Sequence, residues 1–301
     1  MGDVRIASLV PSSTEMLFAL GLGDQVVAVT HECDFPVEAA KLPHLSSTVI
    51  PEGLSPAEID AEVKRQVAAG NALYSLDEEV LRAVEPDLII AQDVCAVCAV
   101  SYDDVTRIAA RLPSNPRVLR QDPISLNEVL NNSVEVAIAA GITDDGLDLR
   151  NEMEARINAV REAVAGSQRP RVAAIEWLDP PFFGGHWVPE MIEAAGGTNV
   201  IGNSGEKSAE TTWEEMRETR PDVVVVMPCG YYAAEAAMQA RRYMDSLKSL
   251  GASQIFSVDA TASFSRPGPR LVDGIELLAS LLHPGLVLPP SGVDGFPVEQ
   301  T

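Results

Sequence analysis

The chain has 301 residues, with 22 basic against 44 acidic side chains, a net charge of -22. At roughly 150 residues per domain this predicts about two domains, and 46 % hydrophobic residues supply a core for each and exclude disorder. The acidity argues against nucleic acid and anionic membrane surfaces, which both need basic stripes, and no apolar run approaches the roughly 18–20 residues of a transmembrane helix.

Met1-Gly2-Asp3 leads straight into an apolar strand over 5–10. No basic segment, apolar stretch or cleavage signal precedes it, which predicts a cytoplasmic protein, or an exported one whose leader has been removed. Further strands are predicted over 26–30, 88–92, 118–121, 172–177, 223–227 and 255–258, most of them Val- and Ile-rich and apolar on both faces. Helices fit between them: one that starts after the Pro11-Ser12-Ser13-Thr14-Glu15 loop and runs to Leu20, ended by Gly21, one over 125–140 opening on Ser125-Leu126-Asn127-Glu128 as a capping box, and one over about 144–165. The last is long enough, at 1.5 Å per residue, to span roughly 30 Å and to connect two halves.

Two echoes point to duplication. Glu15, Met16 and Gly21 recur 175 residues on as Glu190, Met191 and Gly196, and Pro86-Asp87-Leu88 recurs 135 residues on as Pro221-Asp222-Val223. The fold class that follows is α/β: two Rossmann-like lobes with mostly parallel sheets, joined by one long helix. The expected boundaries are 1–142, 143–168 and 169–301.

Open α/β sheets bind ligands beyond the carboxyl ends of their strands, so the residues after each strand are the candidates, expected to line a cleft between the lobes. In the first half these are Pro11, Ser12 and Ser13, then His31, Glu32 and Cys33, then Gln92 followed by Cys95 and Cys98. In the second half they are Trp177, Phe182, Phe183, His186 and Trp187, then Cys229 and Tyr231, then Phe264 and Arg266. Aromatic walls with a few polar groups suit a small-molecule site. Trp187, following two glycines, is the foremost expected wall.

The cysteines leave a second reading open. Four in a chain this long make no disulfide framework and are expected reduced. Cys95 and Cys98 are spaced to chelate one ion, and with His31 or Cys33 they would hold zinc or iron; no single ion is expected to join all four cysteines. A cysteine-dependent enzyme is a further alternative, although no nucleophile motif surrounds any of them, and the glycine pairs form neither GxGxxG nor a P-loop.

The stretches Pro11-Ser12-Ser13-Thr14-Glu15-Met16-Leu17, Cys33-Asp34-Phe35-Pro36, Pro86-Asp87-Leu88-Ile89-Ile90, Asp179-Pro180-Pro181-Phe182, Ala195-Gly196-Gly197-Thr198-Asn199 and Arg266-Pro267-Gly268-Pro269-Arg270 give the chain a family likeness. It resembles the cobalamin-binding members of the substrate-binding proteins that serve iron-siderophore, haem and cobalamin ABC importers. That resemblance implies two α/β lobes on a stiff helix and binding without turnover by a monomer. The ligand implied is a corrinoid, cobalamin or cobinamide, with Arg266 and Ser12 meeting its amide or carboxylate groups. It also implies an importer permease as partner, docking on Glu15 and Glu190, which as residues could equally be first-turn acids favoured by a helix dipole. Gln92 stands where the family's cobalamin binders tend to present an aromatic. A further possibility is that His31 or a cysteine ligates the corrinoid cobalt.

Overall fold

The computed structural model describes residues 4–92 and 100–298. The chain divides into two compact units. One runs to Pro123 and takes up Val129–Asn151; the other takes Ile124–Glu128 and the chain from Glu152 on.

The first unit contains β1 (Ile6–Ser8), α1 (Pro11–Ala19), β2 (Val26–Ala28), β3 (Ser46–Thr48), α2 (Pro56–Ala68), β4 (Tyr74–Leu76), α3 (Glu78–Ala83), β5 (Leu88–Gln92), α4 (Tyr102–Ala109), β6 (Arg117–Gln121), most of α5 (Leu126–Ala140) and the start of α6 (Thr143–Ala163). Its sheet has the order β2-β1-β5-β6 with every pair parallel. Successive residues of a strand face opposite sides, so a parallel sheet covered twice needs apolar residues throughout. Ala7, Ile89 and Ala91 pack with Val105, Ile108 and Leu112 on one face. Ile6, Leu88 and Ile90 pack with Met16, Leu17 and Val136 on the other.

Strand β1 stops at Ser8, short of the predicted end, because Pro11 opens α1 and Val10 is its N-cap residue. The antiparallel pair β3-β4 was not expected, since Ser46-Ser47-Thr48 carries no apolar signal. The start of α5 departs from a simple capping box. Ser125 Oγ accepts the Glu128 N–H at 3.3 Å, but the Glu128 carboxylate takes the Ile124 N–H at 2.7 Å. Helices α5 and α6 meet at Gly146, where a Cβ would lie 2.4 Å from Ala137 Cβ and 2.9 Å from the Ser133 carbonyl.

The second unit contains β7 (Arg171–Leu178), β8 (Pro181–Phe183), α7 (Val188–Ala194), β9 (Thr198–Asn199), β10 (Ala209–Glu210), α8 (Trp213–Glu218), β11 (Val223–Val226), α9 (Ala233–Arg242), α10 (Met244–Ser249), β12 (Gln254–Val258), α11 (Ala260–Ser263), α12 (Leu271–Leu282) and β13 (Gly295–Pro297). The sheet order is β10-β8-β7-β11-β12-β13, with β9 also on β7. Strands β7, β11 and β12 run parallel, and the outer strands β8, β10 and β13 are antiparallel to their neighbours. All four valines of β11 are buried, each contributing about 1.5–3 kcal/mol. The sequences β1-β5-β6 and β7-β11-β12 occupy matching places in their sheets, as the two echoes require.

Helix α6 carries the chain from the first unit into the second. Helix α6 has 21 residues, with Asp144 and Asp145 in its first turn where the helix dipole favours acids. Its second half is fastened to α12 by Arg156, whose guanidinium donates to Glu276 at 2.9 Å and 2.7 Å and to Asp273 at 2.6 Å.

Candidate ligand-binding site

In the first unit the segment after β1 is the first turn of α1 rather than a loop. Ser12 and Ser13 are buried there behind Pro11, and the Thr14 hydroxyl donates to Ser8 Oγ at 2.8 Å. After β2, the Cys33 sulfur is buried between the hydroxyls of Thr14 (3.1 Å) and Thr30 (3.3 Å). It therefore works as an internal anchor for the turn. His31 sits on that turn, half-buried, with Nδ1 2.8 Å from Ser46 Oγ and its ring 5.9 Å from that of Tyr74. The Tyr74 hydroxyl donates to Glu32 at 3.4 Å. Gln92 closes β5 opposite Gln121. Cys95 and Cys98 lie outside the described residues, and among the described residues no three His, Cys, Asp or Glu side chains are grouped to hold an ion.

In the second unit the strand ends bring together Trp177, Tyr231 and Thr261. The rings of Trp177 and Tyr231 stand 5.9 Å apart at 51°. The Cys229 N–H donates to the Glu176 carbonyl at 3.1 Å, and the Thr261 N–H to the Tyr231 carbonyl at 3.3 Å, tying β7, β11 and α11 at one edge. Both the Trp177 indole Nε1 and the Thr261 hydroxyl are buried without a protein partner. A donor left unpaired costs about 1–3 kcal/mol, so these two groups are donors open to an acceptor from water or a ligand. Burial and the nearby Glu235 carboxylate push the Tyr231 phenol up. Tyr232 and Cys229 are exposed beside them.

The long loop expected after the β7 strand begins instead as a hairpin, which changes where several of the expected site residues sit. The chain turns at Asp179-Pro180 and β8 runs back antiparallel, pairing Phe182 with Trp177 and Phe183 with Ile175. Phe183 joins the core around Leu178 and Val224. Trp187 is carried still further from the strand end. It is 6 % exposed, and its indole N–H donates to the Phe264 carbonyl at 2.8 Å. Phe264 itself is 1 % exposed. These two residues, expected as ligand walls, are buried within this unit and bonded to one another. Arg266 lies half-buried in the turn that leads into α12, its carbonyl accepting the Gly268 N–H at 2.8 Å.

The two repeat-related glutamates are also engaged internally. Glu15 is 4 % exposed within α1. Glu190 accepts the Leu126 N–H at 2.5 Å, serving the start of α5. Neither is a free surface acid.

The fold also perturbs two titratable groups of this unit: Glu176, which the sequence did not single out, and His186. Burial raises the Glu176 carboxyl to about 7, opposed by bonds from the Ser208 hydroxyl and the Gly185 N–H. His186 adopts φ 52°, stacks on Trp187 at 5.5 Å and keeps Nε2 buried and unpaired. Burial, with Lys207 nearby, pulls the His186 imidazole below its ordinary value. No spacing links Glu176 with Ser208, 32 residues apart, so only the fold could join them.

Comparison with known proteins decides the family. A family model described as periplasmic binding protein matches residues 6–262. The chain belongs to this family. It is therefore a binding protein rather than an enzyme. A vitamin B12-binding protein of Vibrio cholerae is 22 % identical over 281 residues, covering 92 % of this chain and 88 % of that one. One of Yersinia pestis (strain Pestoides F) is 24 % identical over 226 residues, covering 74 % and 69 %. Among solved structures, the periplasmic vitamin B12 binding protein of Vibrio cholerae aligns with TM-score 0.67 and 21 % identity over 93 % of this chain and 97 % of its own. The periplasmic heme-binding protein RhuT of Roseiflexus sp. RS-1 aligns with TM-score 0.69 and 22 % identity over 95 % and 100 %. These structural likenesses establish the two-unit α/β fold of the periplasmic binding protein.

Proposed function

We propose that this periplasmic binding protein captures a large planar metal chelate, a corrinoid such as cobalamin or cobinamide, and hands it without turnover to a membrane importer of the ABC class. The observation that carries the reading is the Trp177–Tyr231 pair, with an unpartnered indole N–H and the unpartnered Thr261 hydroxyl beside it. A corrin rim presents amide carbonyls that accept from such donors, and its apolar edge suits aromatic rings, each contact adding roughly 0.5–1.5 kcal/mol beyond burial. The curated relatives named as vitamin B12-binding proteins point the same way and favour a site of action outside the cytoplasm.

Haem is the competing chelate, since heme-binding proteins share the fold. The net charge of -22 favours the corrinoid: haem carries two carboxylates, which an acidic protein repels at long range, whereas the corrin amides are neutral. Calorimetric titration with cobalamin, cobinamide and hemin, backed by absorbance of the retained ligand, tests this. Corrinoid heat and a retained corrin spectrum are expected. Binding of hemin alone, or of none of the three, overturns the reading.

A further inference from the structure

We propose that the Glu176 carboxyl is a positioning group that couples the Trp177 wall of the ligand site to pH, holding it in place when protonated and releasing it when ionised. The inference rests on the Trp177–Tyr231 reading of the site above and adds its regulation.

The carboxyl is the point on which a separate stretch of chain is seated. Glu176 immediately precedes Trp177 on β7, and its carboxyl end is enclosed although the residue as a whole is half-buried. It shares a hydrogen bond with the Ser208 hydroxyl and takes the Gly185 N–H, which also donates to Ser208 Oγ at 3.1 Å. The stretch 203–208 is stitched to the 184–186 turn by the Gly205 N–H on the His186 carbonyl at 3.0 Å and the His186 N–H on the Glu206 carbonyl at 2.6 Å. The seat is close: a Cβ on Gly185 would lie 2.4 Å from the Ser208 nitrogen. From Ser208 the chain enters β10, which pairs with β8, and β8 places Phe182 beside Trp177. Glu176, Ser208, β10, β8 and Trp177 thus form a closed circuit whose first member can change its charge.

Among the described residues no charged side chain offsets this carboxyl; burial disfavours its ionised form, opposed by the two donors. The titratable neighbours lie on the two stitched stretches. They are His186, Lys207, whose charge acts on His186, and Glu206, whose carboxylate takes the Asn203 side-chain N–H at 2.8 Å. On α7, Glu190 accepts the Leu126 N–H and Glu193 pairs with Arg169. An ionised carboxylate in such a place is relieved by admitting water. The covering stretch 203–208 buries no whole residue, so a few hydrogen bonds are all that lifting it must break. Lifting it unpairs β10 from β8 and takes the support from Trp177. The ligand therefore meets a formed site below neutrality and a loosened one above it.

The test pairs calorimetric titration of cyanocobalamin, which has no group titrating near neutrality, with hydrogen exchange of the 184–210 amides in the ligand-free protein, corrected for intrinsic exchange rates. With the protonated form alone competent and a carboxyl that ionises at about 7, affinity should fall roughly tenfold between about pH 6 and about pH 8, and amide protection should fall with it. Glu176→Gln, which offers Ser208 and Gly185 a donor and an acceptor but cannot ionise, should bind equally at both. Affinity or protection level with pH in the wild type overturns the proposal. A carboxyl that merely stabilised the fold would give that result, moving the melting curve alone. Dependence retained in Glu176→Gln, which would place it on His186, overturns the proposal too. Should Glu176→Gln not fold, His186→Gln takes its place: the wild-type profile is expected, and its loss overturns the assignment to Glu176. Absence of cyanocobalamin binding at every pH overturns the corrinoid reading, and the exchange measurement on the ligand-free chain then decides the switch.

Discussion

Arg171 and Asp222 exchange hydrogen bonds at the start of the second sheet: the Arg171 N–H donates to Asp222 Oδ2 at 2.8 Å, and the Asp222 N–H to the Arg171 carbonyl at 2.8 Å. Arg5 and Asp87 do the same in the first sheet, at 2.9 Å and 2.8 Å. In both copies the arginine side chain also takes carbonyls just upstream of the aspartate: Val84 and Glu85 in one, Thr219 and Arg220 in the other. Glu85 and Arg220 both adopt positive φ, 40° and 48°. The Pro-Asp echo is therefore the trace of a duplicated lock that sets the strand register where β5 and β11 enter their sheets. Asp222→Ala should lower the unfolding free energy by about 1 kcal/mol, the worth of an exposed, shared hydrogen bond. Urea denaturation reads this, with ligand affinity unchanged. A loss of affinity at full stability would contradict the assigned role.

Trp177 on β7 and Trp187 at the start of α7 should separate stability from binding. Trp187→Ala removes a buried ring and orphans the Phe264 carbonyl, so it should destabilise the ligand-free protein by about 3–5 kcal/mol. Trp177→Ala should instead weaken chelate binding by roughly 1–3 kcal/mol with a melting temperature close to wild type. The reverse pattern would mean that Trp187, not Trp177, meets the ligand.

Glu176 makes stability depend on pH. Its carboxyl ionises at about 7 in the folded chain against the ordinary 4.5, because burial disfavours the charge. Between these values the folded state holds a proton that the unfolded state has released. The contribution is thus fully present below the unfolded value and lost as pH rises through about 7. Glu176→Gln, which cannot ionise, should melt higher than wild type at pH about 8 and match it at about 4, the range over which this carboxyl titrates. An offset between the two melting curves that is constant with pH would refute the assignment.

Gly146 should be intolerant of alanine although alanine is the better helix former by about 1 kcal/mol. The added methyl would fall 2.4 Å from Ala137 Cβ and against the Ser133 carbonyl, forcing α5 and α6 apart. Gly146→Ala is expected to lower the melting temperature. A rise would show that the two helices can part at no cost.

Much of this protein is legible in its residues one after another. Uninterrupted apolar runs such as 223–226 announce parallel strands covered on both faces, because such strands need no polar side. The long helix follows from its unbroken periodicity, and the duplication from the repeated Pro-Asp and Glu-Met pairs. What ran out was direction. The aromatic-rich segment after Trp177 reads as a strand-end loop in one dimension, yet a turn at Asp179-Pro180 folds it back along β7 and buries Trp187 against Phe264. Short edge strands such as β8 and β10 carry too few residues to show periodicity, so their pairing, and every side chain they reposition, came from the tertiary fold. The same holds for Ser46 behind His31 and Ser208 behind Glu176. Sequence order determined the layers because hydrophobic burial is read residue by residue. Which polar groups meet was decided by contacts between segments distant in the chain, and the sequence carries no local mark of those.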